Sequence, residues 1–417
     1  MSAINLIPLA GRMGPRDPTE PHRVASPLEL FFDLVFVVAI SSAAAQLHHG
    51  LSTAHYEAVA GFILVFFAIW WAWMNYAWFA SAYDCDDVLY RLLTFAIMAG
   101  SLLLAAGVPD LFDDGQSVAV VVGYAVMRLA MVALWLRVAA GDPDHRTTAL
   151  TYAVGITVVQ LLWIGRLALH GSGTLYATFA LLVLAELTVP WMAEQRGGPT
   201  PFHPHHIAER YGLFTIIVLG EVILASVQAI QGVLAKPAAQ GGNPAAEGAG
   251  QGSGLTPGLL GLAVGGLLIV FSLWWLYFKR DHVDLIGHGR TMTWAFSYAH
   301  ITIFASVAAV GAALASAVDV VEHQASGSSR AIGTALAVPI AVYALTLAVL
   351  HSAADHDVRT AVPAITLAVV VLGIASLGLD MPLAVLLIGL AAAGAVAQHV
   401  IVAQRQLASI SAAVPHV

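Results

Sequence analysis

A chain of 417 residues that is 59% hydrophobic and only 10% charged, with a mean hydropathy of +0.81, carries more apolar surface than a soluble fold of its size can hide. Its solvent is lipid. The formal net charge of −8 is spread along the chain and argues against a nucleic-acid partner, and the single cysteine, Cys85, excludes an intrachain disulfide and a cysteine-based zinc cluster.

In chain order, residues 1–26 are polar and Pro-rich and carry Arg12, Arg16 and Arg23. They lack the apolar core of a signal peptide and read as a cytoplasmic N-terminal tail. Twelve apolar segments follow, at 28–47, 57–79, 89–109, 116–138, 148–169, 173–193, 207–232, 256–279, 290–316, 331–350, 360–379 and 381–403. Each can cross a hydrocarbon core of ~30 Å as a helix, which predicts an all-α polytopic membrane protein. With twelve spans, the side of the N-terminus collects Arg12, Arg16, Arg23, Arg91, Arg137, Arg146, Arg196, Arg210, Lys279, Arg280, Arg290, Arg359 and Arg405. The opposite side collects Arg166, Lys236 and Arg330, so both termini are expected in the cytoplasm.

The halves resemble each other. "ELFFDLVFVVAI" from Glu29 is similar to "ERYGLFTIIVLGEVILA" from Glu209, and "VFFAIWWAWMNY" to "IVFSLWWLYF". Two six-helix repeats in parallel orientation are expected, at 27–200 and 201–405, with a C-terminal tail at 406–417. The Gly/Ala/Gln-rich stretch 233–255 reads as a flexible extracytoplasmic loop within the second.

Charges inside and beside the spans carry the functional signal. Glu29 and Asp33 stand i, i+4 on one face of the first helix and call for a cation, a proton or an arginine. "YDCDDVLYR" places Asp84, Asp87 and Arg91 on one stripe if the loop is helical, and "RDHVDLIGHGR" repeats the pattern at Asp281 and Asp284. Either D-x-x-D is a candidate for Mg²⁺ or another cation, against the plainer reading of a solvated or salt-bridged loop. At the start of the seventh span, His206 and Arg210 are an i, i+4 pair beside Glu209. Glu221 returns to nearly the same face ~16 Å deeper, either as a proton or cation site or as a helix–helix hydrogen bond. Trp70, Trp71, Trp274, Trp275 and Tyr277 read first as an interfacial aromatic belt, and alternatively as the wall of a pocket. Arg128, Gln160, Glu186 and His300 are further polar residues within spans.

Together "PLELFFDLVFVVAI", "YDCDDVLYR", "HIAERYGLFTIIVLGE" and "WWLYF" resemble the bacterial low temperature requirement protein A (LtrA) family, in order, from about residue 27 to residue 300. Beyond that the spans match only in hydrophobicity, and Lys279-Arg280 after "WWLYF" departs from the family's acidic residue. The resemblance implies a multi-pass bacterial inner-membrane protein in which the motif acids and arginines are functional; it names no substrate.

Three readings stand, in this order. The first is a proton- or cation-coupled transporter, in which the carboxylates take up the ion while Arg91 and Arg210 balance them or bind substrate. The second is a membrane-embedded Mg²⁺-dependent enzyme acting on a lipid or isoprenoid diphosphate. The third is a non-catalytic sensor or assembly factor. The bilayer is the one certain partner; the sequence leaves the oligomeric state open.

Overall fold

The computed structural model describes residues 7–21, 23–169, 171–235 and 257–413. Regular structure among them is helical throughout, as buried backbone in lipid must be when no closed barrel supplies its hydrogen bonds. The long helices are α1 (Pro27–Ser52), α2 (Ala58–Tyr83), α3 (Val88–Ala106), α5 (Val118–Gly141), α6 (Arg146–Gly165), α7 (Ser172–Gly197) and α8 (Pro204–Ala235). They continue with α9 (Pro257–Phe278), α11 (Arg290–Val321), α12 (Ser329–Asp355), α13 (Val362–Ser376) and α14 (Met381–Ala413); α4 (Val108–Asp114) and α10 (Val283–Gly287) are short. Among the described residues, eleven helices are long and apolar enough to cross a membrane, and α8 is the remaining long one. The expected loop at 233–255 falls, from residue 236 on, outside the described residues. Much of the expected C-terminal tail is instead helix, since α14 runs on to Ala413.

Local sequence explains where helices start. Ser26-x-x-Glu29 is a capping box: Ser26 Oγ accepts from the Glu29 N–H (3.3 Å), and Glu29 Oε2 accepts from the Ser26 N–H (2.8 Å). Asp87 caps α3 by accepting the Tyr90 N–H, and Ser117 and Ser328 cap α5 and α12 in the same way. Along the helices, leucines and valines such as Leu34, Leu161, Leu181 and Val369 stay exposed, as expected of a surface that faces lipid.

The chain forms two compact units, Met1–Ala43 with Ile63–Phe214, and Ala44–Phe62 with Thr215–Val417. In the first, α5 packs on α3 and α6, and α6 packs on α7. The N-terminal segment is laid against helix ends of the same unit. Arg12 Nε donates to the Gly141 carbonyl and buried Arg23 Nη2 to that of Ala80, each at 2.7 Å.

In the second unit α14 packs on α9 and α12 packs between α11 and α13. The α9–α14 contact is backbone against backbone. A Cβ on Gly265 would lie 2.6 Å from the Val385 carbonyl oxygen, and one on Gly389 would lie 2.5 Å from that of Gly265. Neither carbonyl can move aside, so Gly265→Val is expected to part the helices and destabilise by about 1–3 kcal/mol or more. Gly261→Ala, whose Cβ would meet nothing nearer than 3.8 Å, should be neutral or slightly stabilising in a detergent thermal-unfolding assay.

Candidate functional site

The two carboxylates of α1 meet the arginine of α8. At six positions into each helix, Asp33 and Arg210 lie ~9 Å from their N-terminal ends. Arg210 Nη2 and Nε reach Asp33 Oδ1 and Oδ2 at 2.6 and 3.2 Å, while Nη1 reaches Glu29 Oε1 at 2.8 Å. His206, one turn before Arg210, brings Nε2 to 3.1 Å from the same Glu29 oxygen. From α2, Trp73 Nε1 donates to Asp33 Oδ1 at 2.7 Å. Glu29, Asp33, His206 and Arg210 are all buried, with 1% exposure at most.

Aromatic rings wall this knot and keep its dielectric low. Phe32 stacks on Tyr76 (4.0 Å between centroids) and Trp73 on Phe214 (4.2 Å), with Tyr211 edge-on to Trp73. Tyr76 closes a hydroxyl chain with Tyr90 and Thr94, at 3.0 Å each. In such surroundings Arg210's planar fork is the fitting cation, because it binds both carboxylates at once where an ammonium would offer a point charge.

The other sequence candidates fall in different places. Glu209 lies beside the knot and accepts the Ala25 N–H at 3.1 Å. Glu221, half-buried, belongs to the second unit. The expected stripe of Asp84, Asp87 and Arg91 does not form, because Asp86 takes a left-handed backbone (φ 43°) and the helix begins only at Val88. Arg91 instead pairs with Asp86 at the surface, at 2.8 and 2.9 Å.

Nor do Asp84 and Asp87 share an open face for a metal. Asp87 spends Oδ1 on the Tyr90 N–H and Oδ2 on the Gly11 N–H and Arg137, while Asp84 faces Arg16 at 3.5 Å. Asp281 accepts the Val283 N–H in a local turn, and Asp281 and Asp284 are both exposed. Among the described residues, no group of three or more His, Cys, Asp or Glu is placed to hold a metal ion. Of these four acids, Asp87 caps a helix and the others meet solvent or arginine.

The aromatic candidates also divide. Trp70 and Trp71 are buried, whereas Trp274 and Trp275 are 44% and 46% exposed on α9. Tyr277 is buried with its hydroxyl 2.9 Å from His300 Nε2. Trp73, which orients Asp33, carried no signal in the sequence beyond its place in a run of tryptophans.

The loop acids titrate in opposite directions. Burial pushes the Asp84 carboxyl up, aided by the charge of Glu29 and opposed by Arg16 and Arg23. For Asp87 burial also acts upwards, but the hydrogen bonds from Arg137, Tyr90 and Gly11 outweigh it and hold the carboxyl below its ordinary range. A lowered folded-state value means that this stabilisation is complete above the unfolded value of about 4 and is lost as pH falls through the folded one. Asp87→Ala is therefore expected to cost ~1–2 kcal/mol at pH 7 and progressively less on acidification, read as the gap between the two unfolding temperatures against pH.

The model of the bacterial low temperature requirement A protein (LtrA) family matches residues 24–402, a stretch that contains every member of the knot. The chain belongs to the LtrA family. A relative of this LtrA protein, an uncharacterized protein of Rhizobium meliloti (strain 1021), is 27% identical over 308 residues, covering 70% of this chain and 69% of its own. No solved structure matches. The family membership and the apolar helices make this a multi-pass membrane protein.

Proposed function

We propose that this LtrA protein is a proton- or cation-coupled transporter of the bacterial inner membrane, in which Glu29, Asp33, His206 and Arg210 form the ion-binding network. The observation that carries the proposal is the charge balance of the knot: two buried carboxylates share one guanidinium. With His206 neutral, these four side chains carry one net negative charge in a low-dielectric setting, where a charge without a direct partner costs several kcal/mol; the buried Arg23 nearby acts on Glu29 through space. A proton, a small cation or protonation of His206 restores neutrality. The filled and empty states therefore differ in electrostatic free energy, as coupling to a conformational change requires. The sidedness of Lys and Arg supports a cytoplasmic opening for the helix ends that hold the knot, and the likeness of the two halves supports a pair of six-helix repeats.

Proteoliposomes loaded with a pH-sensitive dye test this reading. Imposed gradients of Na⁺, K⁺ or protons should move the lumenal pH with wild-type protein. With Asp33→Asn the change should be slower by about tenfold or more, at an unchanged unfolding temperature. Protein-dependent flux that is absent under all three gradients, or indifferent to Asp33→Asn, would overturn it.

A further inference from the structure

A second buried ion pair lies in the first unit, away from the ends of its helices. Arg128 sits near the middle of α5, Glu186 near the middle of α7 and Trp71 near the middle of α2. Arg128 Nη2 donates to Glu186 Oε2 at 2.6 Å; Trp71 Nε1 donates to the same oxygen at 2.9 Å, and the Tyr124 hydroxyl to Oε1 at 2.8 Å. Glu186 is thus well supplied with donors. Arg128 is not supplied with acceptors: it is 1% exposed, and its Nε and Nη1 have no partner.

Two side chains of α6 share this deficit. Gln160, 4% exposed, has neither amide atom bonded, and Trp163 Nε1 is also without a partner. The register of α5 and α6 brings Gln160 level with Arg128 and Trp163 about one turn further along. Trp135 stacks on Tyr152 and Tyr124 meets Trp163, so eleven residues back along α5 match eleven forward along α6. By the same count Arg128 stands opposite Val159 and Gln160. Towards the far end of α6, about 9 Å further on, the Arg166 guanidinium lies over the rings of Trp163 and Phe179 at 5.9 and 5.7 Å.

What this cluster lacks is an acceptor. Its unbonded groups are N–H donors except for Gln160 Oε1, and Arg128 with Arg166 exceeds Glu186 by one positive charge. Excess donors and excess positive charge both call for a bound anion, and burial strengthens that attraction. The surrounding rings already touch: Trp163 and Phe179 centroids are 5.0 Å apart, Phe67 and Trp71 5.9 Å. That packing suits a small guest.

We propose that Arg128, Gln160 and Trp163 bind a small monovalent anion, a halide or a carboxylate the size of formate, at mid-depth in the first unit. Binding at Arg128 is independent of the transport reading; only passage of the anion across the membrane rests on it. The test is thermal unfolding of the full-length protein in detergent, titrated with sodium chloride or sodium formate against sodium gluconate at equal ionic strength. Wild type should show a saturable stabilisation by at least one of the two anions, and the pair of titrations separates a halide from a carboxylate site. Gln160→Leu and Trp163→Phe keep the Arg128–Glu186 pair, and at least one of them should raise the apparent Kd roughly three- to tenfold, the effect of one lost hydrogen bond. No saturable shift in wild type, or one that both variants leave unchanged, would overturn the proposal and leave these donors to water. A shift in protein that fails the proteoliposome assay would keep the anion site and remove the transport reading.

Discussion

Arg210→Met is expected to destabilise the protein by about 3–5 kcal/mol, the cost of leaving buried carboxylates without their cation. The argument is one of inventory. Arg210 makes three contacts to Glu29 and Asp33, with N···O distances of 2.6–3.2 Å, and all three side chains are shielded from water. Methionine fills much of the volume, so the loss reports charge rather than a cavity. Adding Asp33→Asn to Arg210→Met should recover a large part of it, because one of the two stranded charges is removed. Arg210→Lys should fall between, since one ammonium cannot present a fork to two carboxylates. Thermal unfolding in detergent at neutral pH reads all of these. An Arg210→Met protein that unfolds at the wild-type temperature would show that the knot does not hold the fold.

The second large effect belongs to the Arg128–Glu186 pair. Glu186→Leu strands Arg128 in the middle of a span and should also cost about 3–5 kcal/mol. Arg128→Met alone strands Glu186, but Trp71 and the Tyr124 hydroxyl still donate to it, so its loss should be the smaller of the two. The double variant Arg128→Met/Glu186→Leu should return close to wild type, because buried ion pairs replaced by apolar groups of similar volume are often neutral or stabilising. The cycle built from these proteins gives the coupling energy directly. Single variants that simply add would mean that the 2.6 Å contact carries no interaction of its own.

Helix placement was legible in the sequence because lipid imposes a simple rule: a span must be long, apolar and internally hydrogen-bonded, and among the described residues eleven of the twelve expected segments coincide with helices that meet it, the segment at 207–232 in α8 being the other. The caps at Ser26-x-x-Glu29 and Ser117 came from the structure, although the chemistry that makes them is short-range. Partnership across helices was not legible. The i, i+4 spacing of Glu29 and Asp33 demands a cation without saying which, and Arg91 and Arg210 meet that demand equally well on paper. The choice falls on Arg210 because of a backbone detail: Asp86 in a left-handed conformation delays α3 to Val88 and leaves Arg91 paired at the surface. The placement of Asp87 in the first D-x-x-D has a related, local cause. A carboxylate at a helix start has an N–H to cap, and Asp87 answers that local need while also accepting from Arg137. Gln160 and Arg128 stand out in the sequence as polar residues within spans, but not as neighbours, since level positions on antiparallel helices appear only once the register of α5 and α6 is known.

The capping box at the start of α1 has a role beyond ending a helix neatly. Glu29 holds the Ser26 N–H with one oxygen and Arg210 with the other, so the geometry of the first turn and the charge of the knot are written on a single carboxylate. Whatever neutralises Glu29 loosens both bonds together. If the knot binds an ion as proposed, a change in charge at this one carboxylate would also be felt where the helix begins.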